Sequence, residues 1–261
     1  MTSVKTIAKI IEELAPLKYA YEGEESGFIW GNENKRVSKI GVTWRPTVEV
    51  LREVKQEKID LLVVHEPLLQ KKKAFLLDIS QLKFPPNQIR ESLLKETGVL
   101  VYRAHSNWDD APGGSNDSLA KVLGIKVTEK ISYGRIGKIQ KMSLQSFVEQ
   151  VKSKLGSPSA LVVGNLDEEV EIIATVAGSG NEVISHMELA KQKGADTYVS
   201  GDIRDSTARF ARELNLALID VGGYYTELPG AKNLAKLLSK KLKEIGVEVI
   251  FLDSKPAWEV I

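Results

Sequence analysis

Short apolar runs alternate along the chain with segments in which apolar residues recur every three or four positions. The runs are rich in Val, Ile and Leu, as in buried strands, and the periodic segments are typical of amphipathic helices. We predict the following strands: 36–44, 60–67, 99–106, 160–165, 171–178, 197–202, 216–223 and 247–253. We predict helices between them, including 47–58, 87–97, 116–123 and 182–193, and a long helix from 230. This alternation predicts an α/β fold.

The second half of the chain repeats the pattern of the first. A shift of 136 residues places Asp60 on Asp196, together with several neighbouring identities. We therefore predict one internally duplicated, two-lobed α/β domain spanning 1–261, with a cleft between the lobes. The lobes are expected at approximately 1–125 and 126–261, and to be intertwined.

Composition narrows the chemistry that this fold can carry. Thirty-six Lys and Arg balance 35 Asp and Glu, so no global field favours nucleic acid. The chain has no Cys, which excludes thiolate chemistry and leaves His, Asp, Glu and Tyr. The amphipathic start and the lack of an apolar run of about 18 residues lead us to expect a cytoplasmic protein that does not contact membrane. We interpret 71–86, with its basic run Lys71 to Lys73, as a solvated loop.

Polar side chains follow three predicted strands directly. His65 and Glu66 follow the apolar run LLVV, His105 and Asp109 follow VLVYRA, and Glu227 follows LALIDV. The carboxyl ends of parallel strands gather ligands in α/β sheets, so these groups can meet there. Imidazoles with carboxylates suit one or two divalent transition metals. Taken singly, each group has an alternative interpretation as a polar strand end, a turn acceptor or a solvated loop carboxylate.

A glycine-rich turn is a competing candidate site. Gly178 and Gly180 follow a strand and precede a helix, and Asp202 ends the next strand, as in part of a dinucleotide-binding pattern. A tight strand-to-helix turn is the better interpretation, because Val183 occupies the position of the third small residue. His186 is interpreted as structural. Trp108 fits a core position as well as a stacking position.

These segments together resemble a known family, the NGG-interacting factor three-like proteins, also called type 2 GTP cyclohydrolase I or domain of unknown function 34. The first signature of that family, which ends in His-His-Pro, resembles VTWRPTVEVLREVKQEKIDLLVVHEPL. Its His-Thr-Asn-Leu-Asp signature resembles AHSNWDDAPGGSNDSLAKVLG, and its terminal Gly-His-x-x-x-Glu signature resembles LIDVGGYYTELPG. Its Asp-Asn-x-Gly-Leu segment resembles ESGFIWGN with altered acidic positions.

The resemblance implies a two-lobed α/β fold, a dinuclear metal site in a cleft and a toroidal homohexamer, here without the inserted domain of longer members. Carried over by position, His65 matches the first metal-binding His, Asp109 the Asp of the second signature and Glu227 the last Glu. Two positions depart from the family: Glu66 replaces the second His of His-His-Pro, and Gly223 replaces the terminal His. The loss of two imidazoles predicts a more oxygen-rich site.

We expect a divalent-metal-binding, hydrolase-like protein that acts with metal-activated water on a small substrate, by resemblance a nucleotide. The expected metal ligands are His65, Glu66, Asp109 and Glu227. Glu66 is alternatively a general base, and His105 passes protons or orients substrate. One or two ions among Mn, Fe, Zn, Ni and Mg are expected. The alternative is a non-catalytic oligomeric protein with a degenerate metal site that binds a protein or nucleic acid; nucleic acid is not favoured.

Overall fold

The computed structural model describes residues 2–69, 84–131 and 133–261 of the chain. The basic run Lys71 to Lys73, and most of the loop predicted around it, lie outside these residues. The described strands are β1 (Thr2–Ser3), β2 (Gly27–Trp30), β3 (Arg36–Val37), β4 (Lys39–Thr43), β5 (Leu61–Val64), β6 (Leu100–Arg103), β7 (Lys126–Ile131), β8 (Gly134–Ser143), β9 (Leu161–Val163), β10 (Glu169–Thr175), β11 (Thr197–Ser200), β12 (Ala217–Asp220) and β13 (Glu248–Phe251).

The described α-helices are α1 (Val4–Leu14), α2 (Val48–Gln56), α3 (Pro85–Thr97), α4 (Ser106–Asp109), α5 (Ser115–Leu123), α6 (Leu144–Leu155), α7 (Ile184–Gln192), α8 (Asp205–Glu213) and α9 (Gly223–Leu242). Short 3₁₀ turns occupy Leu17–Tyr19, Gly180–Glu182 and Lys243–Ile245. The predicted α/β class is confirmed, and the sheets are mixed. None of the described helices combines the length and the apolarity needed to cross a bilayer.

Local sequence accounts for where the first helices begin. The Ser3 hydroxyl accepts the Thr6 N–H at 3.2 Å at the start of α1, and the Thr47 hydroxyl accepts the Val50 N–H at 3.2 Å at the start of α2. Each cap satisfies a backbone donor that has no partner within the helix. Val4, Ile7 and Ile11 on the apolar stripe of α1 are buried, as the spacing predicts.

The chain divides into two compact units. The first runs up to Trp108 and includes Leu234–Lys255. Its five-stranded sheet has the order β13-β4-β5-β6-β2, in which β2 alone is antiparallel to its neighbour. The continuous apolar run of β5 is fully buried, as expected for a central parallel strand. A core cluster that includes Leu51, Leu62 and Val101 packs against this sheet.

The second unit comprises Asp109–Asn233 and Pro256–Ile261, with a six-stranded sheet in the order β7-β8-β10-β11-β12-β9. Alternate residues of its central strands enter two separate core clusters. Val199 and Ile219 pack in one cluster, and Tyr198 and Leu218 in the other. Because successive side chains of a strand point to opposite faces, this sheet is covered on both faces.

The two units share one local arrangement at Asp60 and Asp196. The Asp60 carboxylate accepts the N–H groups of Ser38 and Lys39 at 2.7 and 3.0 Å, where β4 begins. The Asp196 carboxylate accepts two consecutive N–H groups of β10 at 2.8 Å each. Asp60 and Asp196 therefore play equivalent structural roles: each accepts two consecutive backbone N–H groups in its own sheet. The internal duplication and the lobe boundaries at 125 and 126 stay predictions.

Two elements differ from the sequence expectations. Helix α9 begins at Gly223 and contains Pro229, so Glu227 lies in a helix rather than in a loop before one. The hairpin of β7 and β8 was not predicted, because β7 exposes five of its six residues and carries little apolar signal. An edge strand with charged, solvated faces gives no periodic apolar pattern.

Candidate metal centre

Two histidines follow adjacent parallel strands. His65 comes directly after β5, and His105 follows β6 after one residue. The strands pair in register with Val64 opposite Arg103, and the Ala104 N–H donates to the Val64 carbonyl at 2.9 Å. Parallel strands end at the same edge of a sheet, so the fold brings these two positions together.

A candidate metal site is formed by His65, His105 and Asp109, the last residue of α4. One ligand atom from each residue lies within 4.8 Å of the others. The two imidazole rings are 4.7 Å apart between centroids and inclined by 57°. His65 and Asp109 are buried, and His105 is partly exposed. Among the described residues, this is the group of His, Asp and Glu with metal-ligand spacing.

Both imidazoles are oriented through the same ring nitrogen. His65 Nδ1 lies 3.1 Å from the Ala104 carbonyl oxygen, and His105 Nδ1 is hydrogen-bonded to the Glu24 carboxylate. A carbonyl or carboxylate oxygen accepts only, so Nδ1 is the donor in both contacts and Nε2 is the candidate ligand atom of each ring. Such outer hydrogen bonds fix ligand histidines in metal sites. The donor set therefore fits a divalent metal.

Glu24 was not singled out from the sequence, but it organises this edge of the sheet. Its side chain is 9% exposed, and its carboxylate contacts His105, the Ser106 hydroxyl and, at 3.3 Å, Arg103. Burial alone would raise the pKa of Glu24. Hydrogen bonds from His105 and Ser106, together with the positive charge of Arg103, lower that pKa to about 2. Glu24 is therefore an ionised, oriented acceptor at neutral pH.

The long-range placement of Glu24 depends on strand pairing. Strand β2 is antiparallel to β6, with Gly27 opposite Arg103, so the residues before β2 lie beside those after β6. Arg103 strengthens the junction by donating to the carbonyl oxygens of His65 and Glu25 at 3.1 and 3.0 Å. The sequence signal for this region was the segment ESGFIWGN, which resembles an acidic segment of the family with altered acidic positions.

The other two predicted ligands lie outside this group. The Glu66 carboxylate forms an ion pair with Arg45 at 3.0 Å and is partly buried. Glu227 is buried at 5% exposure and lies against Gly178. A side chain at Gly178 would place its Cβ 2.2 Å from the Glu227 carboxylate, so the glycine provides the space for that carboxylate. Metal binding by Glu66 and Glu227 stays a prediction.

The glycine-rich turn is accounted for by packing. Gly178 has a positive φ of 80°, and its N–H donates to the Thr226 hydroxyl at 3.0 Å. A Cβ at Gly180 would come within 2.6 Å of both Ser200 and Val176. These contacts explain the two glycines without a bound phosphate, and α7 begins only at Ile184.

Trp108, which the sequence left open, and His186, which the sequence analysis interpreted as structural, both have structural environments. Trp108 is 1% exposed and belongs to the core rather than to a stacking surface. His186 packs edge to face on Tyr133, with ring centroids 5.8 Å apart, and burial lowers its pKa. Both therefore fit structural roles.

The fold and site define an α/β protein with a candidate His–His–Asp metal site. The family model of DUF34/NIF3 (NGG1p interacting factor 3) matches residues 2–257. The chain belongs to this family, which confirms the resemblance expected from the sequence.

Relatives of similar length support this assignment. A GTP cyclohydrolase 1 type 2 homolog of Clostridium perfringens is 30% identical over 261 residues, covering 96% of this chain and 95% of the relative. A protein of the same name from Methanocaldococcus jannaschii is 30% identical, covering 95% and 98%. Reduced HcgD from M. jannaschii is a solved structure with a TM-score of 0.79 and 28% identity, covering 97% and 98%. A Bacillus cereus protein related to NIF3 shares the fold at a TM-score of 0.84 and 24% identity, covering 100% and 99%.

Proposed function

We propose that this protein is a divalent-metal-dependent hydrolase-like protein of the NIF3 family that acts on a small substrate. The observation that carries the proposal is the cluster of His65, His105 and Asp109, in which both imidazoles are held with Nε2 as the ligand atom. Three protein ligands leave coordination positions for water and substrate, as in catalytic metal sites.

Each residue of the site has a distinct role in this proposal. His65, His105 and Asp109 hold the metal, and the Ala104 carbonyl and Glu24 orient the two imidazoles. A bound divalent ion lowers the pKa of a water molecule and polarises a substrate oxygen. In this proposal His105 is a metal ligand, in addition to the role in proton transfer or substrate orientation that is expected from the sequence. Glu66, oriented by Arg45, is the proposed proton acceptor.

Ligand chemistry sets the metal class. Two imidazoles and one carboxylate suit Fe, Mn, Co, Ni or Zn better than Mg, which prefers oxygen ligands. We propose Glu227 as a ligand of a second ion, consistent with the dinuclear site that the family resemblance implies. The names of the relatives make GTP the first substrate to assay.

Elemental analysis of untagged protein, purified without chelator, tests the proposal. We expect one or two equivalents of a transition metal per chain, with loss of one equivalent in His105→Ala and in Asp109→Ala. The chain has three histidines, so His186→Ala is the matched control and retains its metal. Absence of metal after incubation with each ion would overturn the proposal.

The catalytic part has a separate test. We expect metal-loaded protein to convert GTP or another small substrate at a rate that EDTA abolishes and added metal restores. Metal binding without turnover of a panel of nucleotides and small esters would support the metal site but contradict the proposed hydrolase activity.

A non-catalytic binding protein is the second candidate, and the ion pair of Glu66 with Arg45 favours it. A carboxylate already held by Arg45 is a weaker ligand than the histidine it replaces in the family pattern. This candidate predicts binding of a partner that is unchanged by metal. If the partner is a nucleic acid, the affinity falls steeply with salt.

A further inference from the structure

A second candidate ligand site lies wholly within the second unit. It is a cavity of about 350 Å³, a size found among small-molecule sites, and none of the three residues of the His65 cluster lines it. Two carboxylates, Asp202 and Asp220, and two aromatic side chains, Tyr225 and Trp258, are among its lining residues. We propose that this cavity binds a guanidinium group.

The charge of the cavity favours a cation. The lining residues within the described chain include no Lys, Arg or His. Both Asp220 oxygens accept backbone N–H groups, from Ile203 at 2.5 Å and from Gly222 at 2.7 Å, so the backbone holds the Asp220 carboxylate in place. Asp202 has no ion pair among the residues that the structure describes. The cavity is therefore lined by two carboxylates, with no basic side chain among its described lining residues to pair with them.

Asp202 is the better candidate for direct contact. It accepts a hydrogen bond from the Gly223 backbone, and desolvation with the charges of Asp220, Glu227 and Glu182 raises its pKa. A cation beside the carboxylate would relieve this repulsion. Asp202 also has a φ of 62°, a conformation that is uncommon for residues other than glycine.

The aromatic side chains favour a planar cation over a compact one. Tyr225 and Trp258 both lie against Gly222, with ring atoms 3.8 and 3.9 Å from the position that a Cβ would take there. Trp258 is 64% exposed, so its ring is accessible to a ligand from solvent. A guanidinium stacks on aromatic rings while its paired N–H donors match a carboxylate, and an ammonium lacks this planar fork.

Titration calorimetry with agmatine as the probe tests the proposal. We expect a dissociation constant of about 0.1 to 1 mM for the intact protein in EDTA. Because the site needs no metal, this result is independent of whether the metal site exists. Putrescine, which has ammonium ends, and N-butylurea, which is planar but neutral, should bind at least about tenfold more weakly.

Variants assign the binding to this cavity. Asp202→Asn should weaken agmatine binding about tenfold, and Trp258→Ala about two- to fivefold. Asn tolerates the positive φ at this position, so the backbone is preserved, which circular dichroism and thermal melting verify. Asp205→Asn is the matched control, because Asp205 is exposed and pairs with Arg209 at 2.8 Å outside the cavity.

Two sources of the guanidinium are distinguished by adding L-arginine and the capped peptide acetyl-Gly-Arg-Gly-amide. If arginine or agmatine binds more tightly than the peptide, the guanidinium belongs to a small molecule. If the peptide binds more tightly, the guanidinium belongs to an arginine of a partner protein. No binding at about 10 mM agmatine overturns the proposal. Equal weakening by Asp202→Asn and Asp205→Asn, or equal binding of putrescine and agmatine, also overturns it.

Discussion

Hydrogen bonds to one ring nitrogen decide what His65 and His105 can do. The Ala104 carbonyl holds His65, and the Glu24 carboxylate holds His105. The two acceptors differ in charge, so they differ in their effect on the ring. An anionic acceptor raises the basicity of the imidazole more than a carbonyl does, which strengthens the bond to a metal.

Replacing Glu24 by Gln tests this effect at a single residue. The amide oxygen can still accept the His105 proton, but the negative charge is lost. We expect the affinity for metal to fall about ten- to a hundredfold, measured by competition with a chelator. Glu25→Gln is the control, because Glu25 is the exposed neighbour in the same segment, and its affinity should be unchanged. Equal metal affinity in Glu24→Gln and Glu25→Gln would show that Glu24 has no role in metal binding.

At the scale of elements, a carboxylate anchors the first parallel strand of each sheet. Asp60 accepts three hydrogen bonds, from the backbone of Ser38 and Lys39 and from the Ser38 hydroxyl. Burial alone would raise the pKa of Asp60, but these hydrogen bonds and the charge of Lys35 lower it. A pKa that is lower in the folded state means that the ionised form stabilises the fold.

We therefore expect Asp60→Ala to lower the free energy of unfolding at pH 7 by about 1 kcal/mol. The stabilisation by Asp60 is present above its unfolded pKa and is lost as the pH falls through its folded pKa. The difference between wild type and variant should accordingly shrink in urea unfolding below about pH 4. Asp167→Ala, at an exposed turn, is the control. A difference that is constant down to the acid limit would contradict this role.

The same geometry predicts a matched effect in the second unit. Asp196 accepts the N–H groups of Glu171 and Ile172, as Asp60 accepts those of Ser38 and Lys39. We expect Asp196→Ala to destabilise the protein at pH 7 by an amount similar to Asp60→Ala, measured by the same unfolding series. A neutral Asp196→Ala beside a destabilising Asp60→Ala would argue against equivalent roles.

Elements and strand ends could be predicted from the sequence where the signal is local. The apolar run before His65 identifies β5, and the position after the strand identifies a residue at the carboxyl edge of the sheet. The contact between Glu24 and His105 could not be predicted, because it depends on the antiparallel pairing of β2 with β6 across more than 70 residues. The sequence predicts a helix only from 230, whereas α9 begins at Gly223 and accommodates Pro229, so Glu227 lies within the helix.

For the whole molecule, the family resemblance leads us to propose a homohexamer. Multi-angle light scattering behind size exclusion should then give six times the 28.8 kDa chain mass. The salt dependence of the mass separates a stable assembly from weak electrostatic association, which is screened above physiological ionic strength. A mass of one chain at micromolar concentration would contradict the proposal.

Metal binding should also be visible in the stability of the whole molecule. A ligand that binds only the folded state stabilises it, by about 2.7 kcal/mol when its free concentration is a hundred times the dissociation constant. For a chain of 261 residues, this corresponds to a rise in Tm of about 5 to 10 °C. We expect EDTA to lower the Tm of wild type and of His186→Ala by this amount, and to lower the Tm of His105→Ala by less. Because the His105 side chain is only partly buried, we expect His105→Ala by itself to lower the free energy of unfolding by less than loss of the metal does. An equal EDTA effect in all three proteins would place the bound metal elsewhere in the chain.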